Sequence, residues 1–227
     1  MEFTLQDVDS GKSNGITVVQ NGIALPDSKR RTEHPEIELF DSYIDLYNQI
    51  DHCSFDWHLD NDQNTKDTLI QIDSIQRLIN KEKYELDDIL RYITCGGLNI
   101  PGFDSAFDFT NNKTLGYYLT SQELGIAPHS FIPVDFHCQL SFQTYTACLK
   151  IEENKLIDNV YILDYQGVEL LDMKITLDKY MELAYACKAV YMWQFDYMKK
   201  SKKELSILYS VLGKIFPVDS LKLVEWS

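Results

Sequence analysis

Residues 142–151 read FQTYTACLKI and residues 159–165 read NVYILDY, and the fold class turns on these two stretches. Tyr145, Ala147, Leu149 and Ile151 share one face of an extended chain, with Gln143 the polar exception on that face. The polar turn Glu152–Lys155 separates the two stretches, so the spacing predicts a hairpin-like pair of strands. Thr176 then stands where a helix N-cap would, with Asp178 in the first turn to complement the helix dipole. Leu177, Tyr180, Met181, Ala184, Cys187 and Tyr191 recur at helical spacing. The helix is expected to close on the aromatic run Tyr191-Met192-Trp193-Gln194. Strands mixed with helices, without regular βαβα alternation, point to an α+β sheet rather than a doubly wound one.

Toward the N-terminus, Pro35 suits a first helical position, and Glu36 and Glu38 suit the positive end of its dipole. Ile37, Phe40, Ile44 and Tyr47 form one stripe and Leu39, Tyr43, Leu46 and Ile50 a second, leaving Asp41 and Asp45 toward water. Next, Phe55, Trp57 and Leu59 alternate with Asp56, His58 and Asp60, the period of a half-buried strand. Thr68–Asp73 reads as a further strand, and Ser74–Asn80 and Tyr84–Ile93 read as helices stopped by Gly96-Gly97. Residues 98–130 read as loops around short strands. Residues 1–34 form an extension, either a β-hairpin turning at Asn21-Gly22 or a flexible arm. Residues 35–198 make one domain, and 199–227 add a helix over Lys203–Ile215 and a strand over Leu221–Trp226 that complete it.

The chain has 227 residues, 44% of them hydrophobic and 12% aromatic, which is ample material for a core. A formal net charge of -14 disfavours nucleic acid and anionic membranes as partners, because both are held mainly by Lys and Arg. It suits a basic partner, whose encounter an opposite field accelerates, and equally suits a merely acidic soluble protein. The five cysteines are scattered without C-x-x-C spacing, which signals neither a zinc ribbon nor a redox pair. With no signal-peptide pattern and no run of membrane-spanning length, a reducing cytoplasm is expected.

Asp56, His58 and Asp60, with His52 and Asp62 nearby, are the residues that chemistry would use first. Imidazole and carboxylates on one strand face hold a divalent metal, or pair a general base with an orienting acid. The competing reading is the solvated outer face of a strand, and no third imidazole stands out elsewhere. Cys95 before Gly96-Gly97 has the look of a nucleophile on a tight turn, with His129 and His137 downstream, but a helix stop explains the glycines as well. No phosphate-cradling glycine loop, nucleophile elbow or metalloprotease helix occurs. Lys199, Lys200, Lys202 and Lys203 read as a helix C-terminal complement rather than a nucleic-acid patch in so acidic a chain.

The order of these features resembles the SUKH superfamily, over about Pro35 to Met198. The residues that carry the resemblance are Tyr47-Asn48 closing the first helix, Trp57 on an aromatic strand, and Leu69-Ile70-Gln71-Ile72 before a helix. Phe131-Ile132-Pro133-Val134 follows, then Val160-Tyr161-Ile162-Leu163-Asp164, and finally Tyr180-Met181-Glu182-Leu183 with Tyr191-Met192-Trp193-Gln194. Gln49 stands where the family has glycine, and 98–130 has no counterpart. The resemblance implies a single α+β domain with helices packed on a twisted, mostly antiparallel sheet, no catalytic residues and no cofactor. It implies a protein-binding role: bacterial members are largely immunity proteins that neutralise a cognate toxin, many such toxins being basic nucleases. On that reading Asp56, His58, Asp60, Glu152 and Glu153 are the expected partner contacts. The alternatives are a metal-assisted hydrolase using His58 and its flanking carboxylates, and a regulatory scaffold module with no toxin partner.

Overall fold

The structure is a computed structural model. It describes residues 16–24, 35–59, 95–107, 122–127, 130–136, 138–139, 142–143, 145–165, 167–187, 189–190 and 193–199. The elements in chain order are β1 (Ile16–Ala24), α1 (Asp41–Gln49), β2 (His52–Leu59), β3 (Cys95–Ile100) and α2 (Phe103–Phe107). They continue with β4 (Phe131–Asp135), β5 (Cys138–Gln139), β6 (Phe142–Gln143), β7 (Tyr145–Glu152), β8 (Lys155–Asp164) and β9 (Glu169–Asp172). Two helices, α3 (Leu177–Ala186) and α4 (Trp193–Lys199), close the described chain. Three open sheets have the strand orders β1-β2-β3, β4-β7-β8-β9 and β5-β6. Helices stand beside antiparallel strands, so the class is mixed α and β, as the sequence suggests.

The contacts gather the chain into two compact units, one of Asn21–Ser54 and Leu98–Glu182, the other of Met1–Gln20, Phe55–Gly97 and Leu183–Ser227. In the first unit β4, β7, β8 and β9 are all antiparallel neighbours. One face carries Ile132, Ala147, Leu149, Val160 and Ile162, all fully buried. The opposite face holds a smaller cluster of Phe131, Cys148 and Leu163, against which Leu124, Ile126, Tyr161, Tyr165 and Leu170 pack.

Two irregularities in this sheet re-aim polar side chains, which is what bulges do. Ile132 pairs with Leu149 and Pro133 with Cys148, but Asp135 rather than Val134 lies opposite Ala147. The slip moves Asp135 from the Cys148 face to the Ala147 face. In the hairpin, Ile151 pairs with Leu156 and Leu149 with Val160, so Ile157, Asp158 and Asn159 together oppose Lys150 alone. The extra residues carry Asp158 to the start of α3, where its Oδ1 accepts from the Leu177 N–H at 2.7 Å. Thr176 caps the same turn, accepting from the Lys179 N–H at 3.3 Å.

α1 buries one residue from each expected stripe, Tyr43 and Tyr47, and leaves Asp41 and Asp45 exposed. Tyr43 packs against the rings of Phe40, Tyr47, Phe103 and Phe107, which brings α2 onto α1. Tyr47 donates its hydroxyl to the Pro101 carbonyl at 2.9 Å. Ser42 at the head of α1 donates to Asp178 at the head of α3, at 2.8 Å.

Several expectations are corrected. The helix begins at Asp41, not near Pro35, because the backbone of Glu38 is already committed. The Glu38 N–H donates to the Asn154 carbonyl at 2.8 Å and its carbonyl accepts from Leu156 N–H at 2.9 Å. Asn21-Gly22 lies inside the continuous strand β1, and neither residue takes a positive φ, so there is no hairpin turn there. Such a dipeptide permits a type I′ turn without imposing one. Gly96-Gly97 lies inside β3. The glycine pair lets another backbone approach closely: Gly96 bridges Val190, and Gly97 N–H donates to the Ala189 carbonyl at 2.9 Å. The strand expected over Phe142–Ile151 is two, β6 and β7, and β8 starts four residues earlier than Asn159, at Lys155.

The closing helix is also divided. α3 stops at Ala186, Ala189 turns left-handed (φ 48°), and α4 begins at Trp193. Trp193 and Gln194 are fully buried at the head of α4. The readings over Thr68–Asp73, Ser74–Asn80, Tyr84–Ile93, Lys203–Ile215 and Leu221–Trp226 fall outside the described residues. Among those residues, no helix is long and apolar enough to cross a membrane.

Candidate functional site

The acidic site builds up from the β7–β8 turn. Glu153 and Asn154 both take positive φ (49° and 63°), the signature of a two-residue type I′ hairpin turn. Glu152 pairs with Lys155 across the base of that turn. The committed backbone of Glu38 lies alongside Lys155 as a parallel bridge, adding a third chain to the tip. Glu36, Glu38, Glu152 and Glu153 are thereby all exposed at one end of the first unit. Two lysines answer part of this charge. Lys155 Nζ lies 2.7 Å from Glu38 Oε2 and Lys150 Nζ 2.5 Å from Glu152 Oε1. The hydrogen bond that Lys150 donates to Glu152, together with the carboxylate's charge, holds the ammonium above its ordinary range. Among the described residues nothing pairs with the Glu153 carboxylate.

Of the expected contacts, Glu152 and Glu153 come together at this tip. Glu38 joins them, hidden in the sequence because Pro35 and the acidic residues after it match a helix start. The strict alternation of Glu36, Ile37, Glu38 and Leu39, polar outside and apolar half-buried, is the signal that marks an extended segment. Asp56 and His58 lie on β2, as expected of a strand, and their side chains fall outside the described residues, as does Asp60. His52, which opens β2, is exposed with Nδ1 3.7 Å from Asp51 Oδ2. Cys95 is the first residue of β3 rather than part of a tight turn.

A second polar constellation is buried. Asp135 is 1% exposed; its Oδ1 accepts from the Asn99 N–H at 2.9 Å and its Oδ2 from the Tyr180 hydroxyl at 2.7 Å. The Phe136 N–H donates to the Asn99 carbonyl at 2.8 Å. One carboxylate thus fastens β3, β4 and α3 together within the first unit. Cys53 lies close by, its thiol pushed up to about 11 by burial and then by the Asp135 charge. Burial raises the Cys148 thiol further still. Neither thiol is a nucleophile near neutral pH, since the thiolate is the reactive form. The buried carboxylate is a tie between elements, and its chemistry is hydrogen bonding.

Among the described residues no three His, Cys, Asp or Glu side chains come together in a way that holds a metal ion. Compared with protein-family models, with curated proteins and with solved structures, the chain matches none.

Proposed function

We propose that the chain is a non-catalytic protein-binding domain that neutralises a basic partner, in the manner of an immunity protein opposing a basic, nuclease-type toxin. The observation that carries this reading is Glu153. A non-glycine residue in the left-handed region costs on the order of 1–2 kcal/mol, and a hairpin turn of this type favours Asn or Gly there. Glutamate at that position instead sets an exposed carboxylate, without a partner among the described residues, at the tip of the β7–β8 hairpin. Local strain retained against a cheaper alternative is a mark of a functional position.

The net charge of -14 supports the same reading, because an acidic binder and a basic partner attract before contact and exclude acidic competitors. The resemblance of the chain to the SUKH pattern supports it independently. The cell interior is the compartment such a neutralising protein would serve. The test is co-expression with a toxin whose gene adjoins this one and whose C-terminal domain is basic. The chain is expected to relieve growth arrest and Glu153→Lys to relieve it less. Unrelieved arrest by a well-expressed chain refutes the proposal.

A further inference from the structure

The outer edge of β9 offers a second contact surface, and we infer that it takes up an extended, basic segment of the partner as an added strand. This rests on the reading of a basic partner and adds where and how its backbone is held. β9 is the last strand in the order β4-β7-β8-β9. Its pairs with β8 are Asp164–Glu169, Leu163–Leu170, Ile162–Leu171 and Tyr161–Asp172. The Met173 N–H donates to the Val160 carbonyl at 3.1 Å. In an antiparallel ladder, pairs that exchange hydrogen bonds alternate with pairs that do not. Residues 169 and 171 therefore direct their amides and carbonyls toward β8, and Leu170 and Asp172 direct theirs outward. Among the described residues nothing pairs with those outward groups.

The side chains at this edge define the occupant. Leu170 is half-buried against the Phe131, Cys148 and Leu163 cluster, so a strand laid beside it places an apolar side chain on the same face. Glu169 and Asp172 flank it exposed, and Asp164 lies directly across from Glu169. Asp172 is held in place, its Oδ1 accepting from Asn159 Nδ2 and from the Lys174 N–H, both at 2.8 Å. An apolar residue flanked by lysine or arginine complements this edge. A second copy of the chain does not: pairing β9 with β9 gathers the carboxylates of both copies along one short ladder, which is destabilising.

The experiment adds a short peptide alternating lysine with valine to the full chain and follows backbone amides by NMR. Its control is the same peptide N-methylated along its pairing edge, which keeps the charge and removes the donors. Shifts are expected at Leu170 and Asp172, with amide exchange there slowed about tenfold at a peptide concentration ten times its Kd. The methylated peptide is expected to lose these effects. Leu170→Pro removes an outward N–H while leaving the inward bonds of residues 169 and 171 in place, and it too is expected to abolish binding. If that variant unfolds, the amide measurements on the unaltered chain still decide. Shifts confined to Glu38, Glu152 and Glu153 overturn the edge inference and leave the basic-partner reading standing. Equal binding of the methylated peptide, or binding nowhere, overturns it as well.

Discussion

Tyr180→Phe removes one hydroxyl and nothing else from the core of the first unit, so it measures how much the Asp135 tie contributes. Tyr180 is fully buried and its hydroxyl donates to a carboxylate that is itself 1% exposed, at 2.7 Å. A hydrogen bond to a charged group contributes about 1.5–3 kcal/mol, and a buried acceptor deprived of its donor lies toward the upper end. The expected loss is therefore about 2–3 kcal/mol. In urea, with a denaturant slope of about 2 kcal/mol per molar, the midpoint falls by roughly 1 M or somewhat more. Asp135→Asn separates charge from geometry, since its side-chain oxygen still accepts from the Asn99 N–H. In the Asn background the hydroxyl deletion should cost less, about 1 kcal/mol, because the hydroxyl then only accepts a neutral hydrogen bond from the amide nitrogen. Equilibrium unfolding of the two single variants and the double variant measures this coupling. A midpoint for Tyr180→Phe within error of the parent, or equal effects in both backgrounds, would refute the argument that this carboxylate ties β3, β4 and α3.

The remaining predictions concern the hairpin and its surroundings. Asp158→Ala removes a cap from Leu177 N–H and should destabilise by about 1 kcal/mol in thermal unfolding, with Asp158→Asn recovering most of it. Glu153→Asn combined with Asn154→Gly supplies the residues that a type I′ turn prefers and should stabilise by about 1 kcal/mol while weakening partner binding. For Cys53 the folded thiol is raised to about 11 from 9.0, so its contribution is complete below pH 9 and is lost as pH rises toward 11. Unfolding midpoints should accordingly fall across that alkaline window, and Cys53→Ser should flatten the fall. Thiol labelling at pH 8, mapped by mass spectrometry, should leave Cys53, Cys148 and Cys187 unmodified until denaturant is added.

What the sequence made legible follows from what determines it. The apolar strand through Tyr145, Ala147 and Leu149, and the cap at Thr176 with the stripe from Leu177 to Cys187, are local patterns, and both appear where the residues place them. Bulges are not local. Whether Asp135 or Val134 faces Ala147 depends on pairing with a strand far along the chain, so the buried carboxylate was invisible as a site. Its one trace is a charged residue inside the apolar run Phe131–Phe136.

Pro35 to Phe40 carries helix-start chemistry, yet tertiary pairing of Glu38 with the hairpin overrides it. The helix break at Ala189 has no glycine or proline to announce it, and it coincides with a backbone bond to Gly97. At the acidic tip, Glu152 and Glu153 were legible because a polar turn between two apolar strands has only one place to go. Glu38 required the fold.

Binding of a basic partner at the hairpin tip is tested most directly by a pull-down at low salt from the source lysate, run side by side with the parent chain and Glu153→Lys. Glu153 has no ion pair within the described residues, so its reversal leaves the fold intact and alters only the outward field. A basic protein is expected on the parent, released by salt, and bound about fivefold or more weakly by the variant, about 1 kcal/mol for one exposed charge reversed. A partner held equally by both chains, or one indifferent to salt, would contradict it.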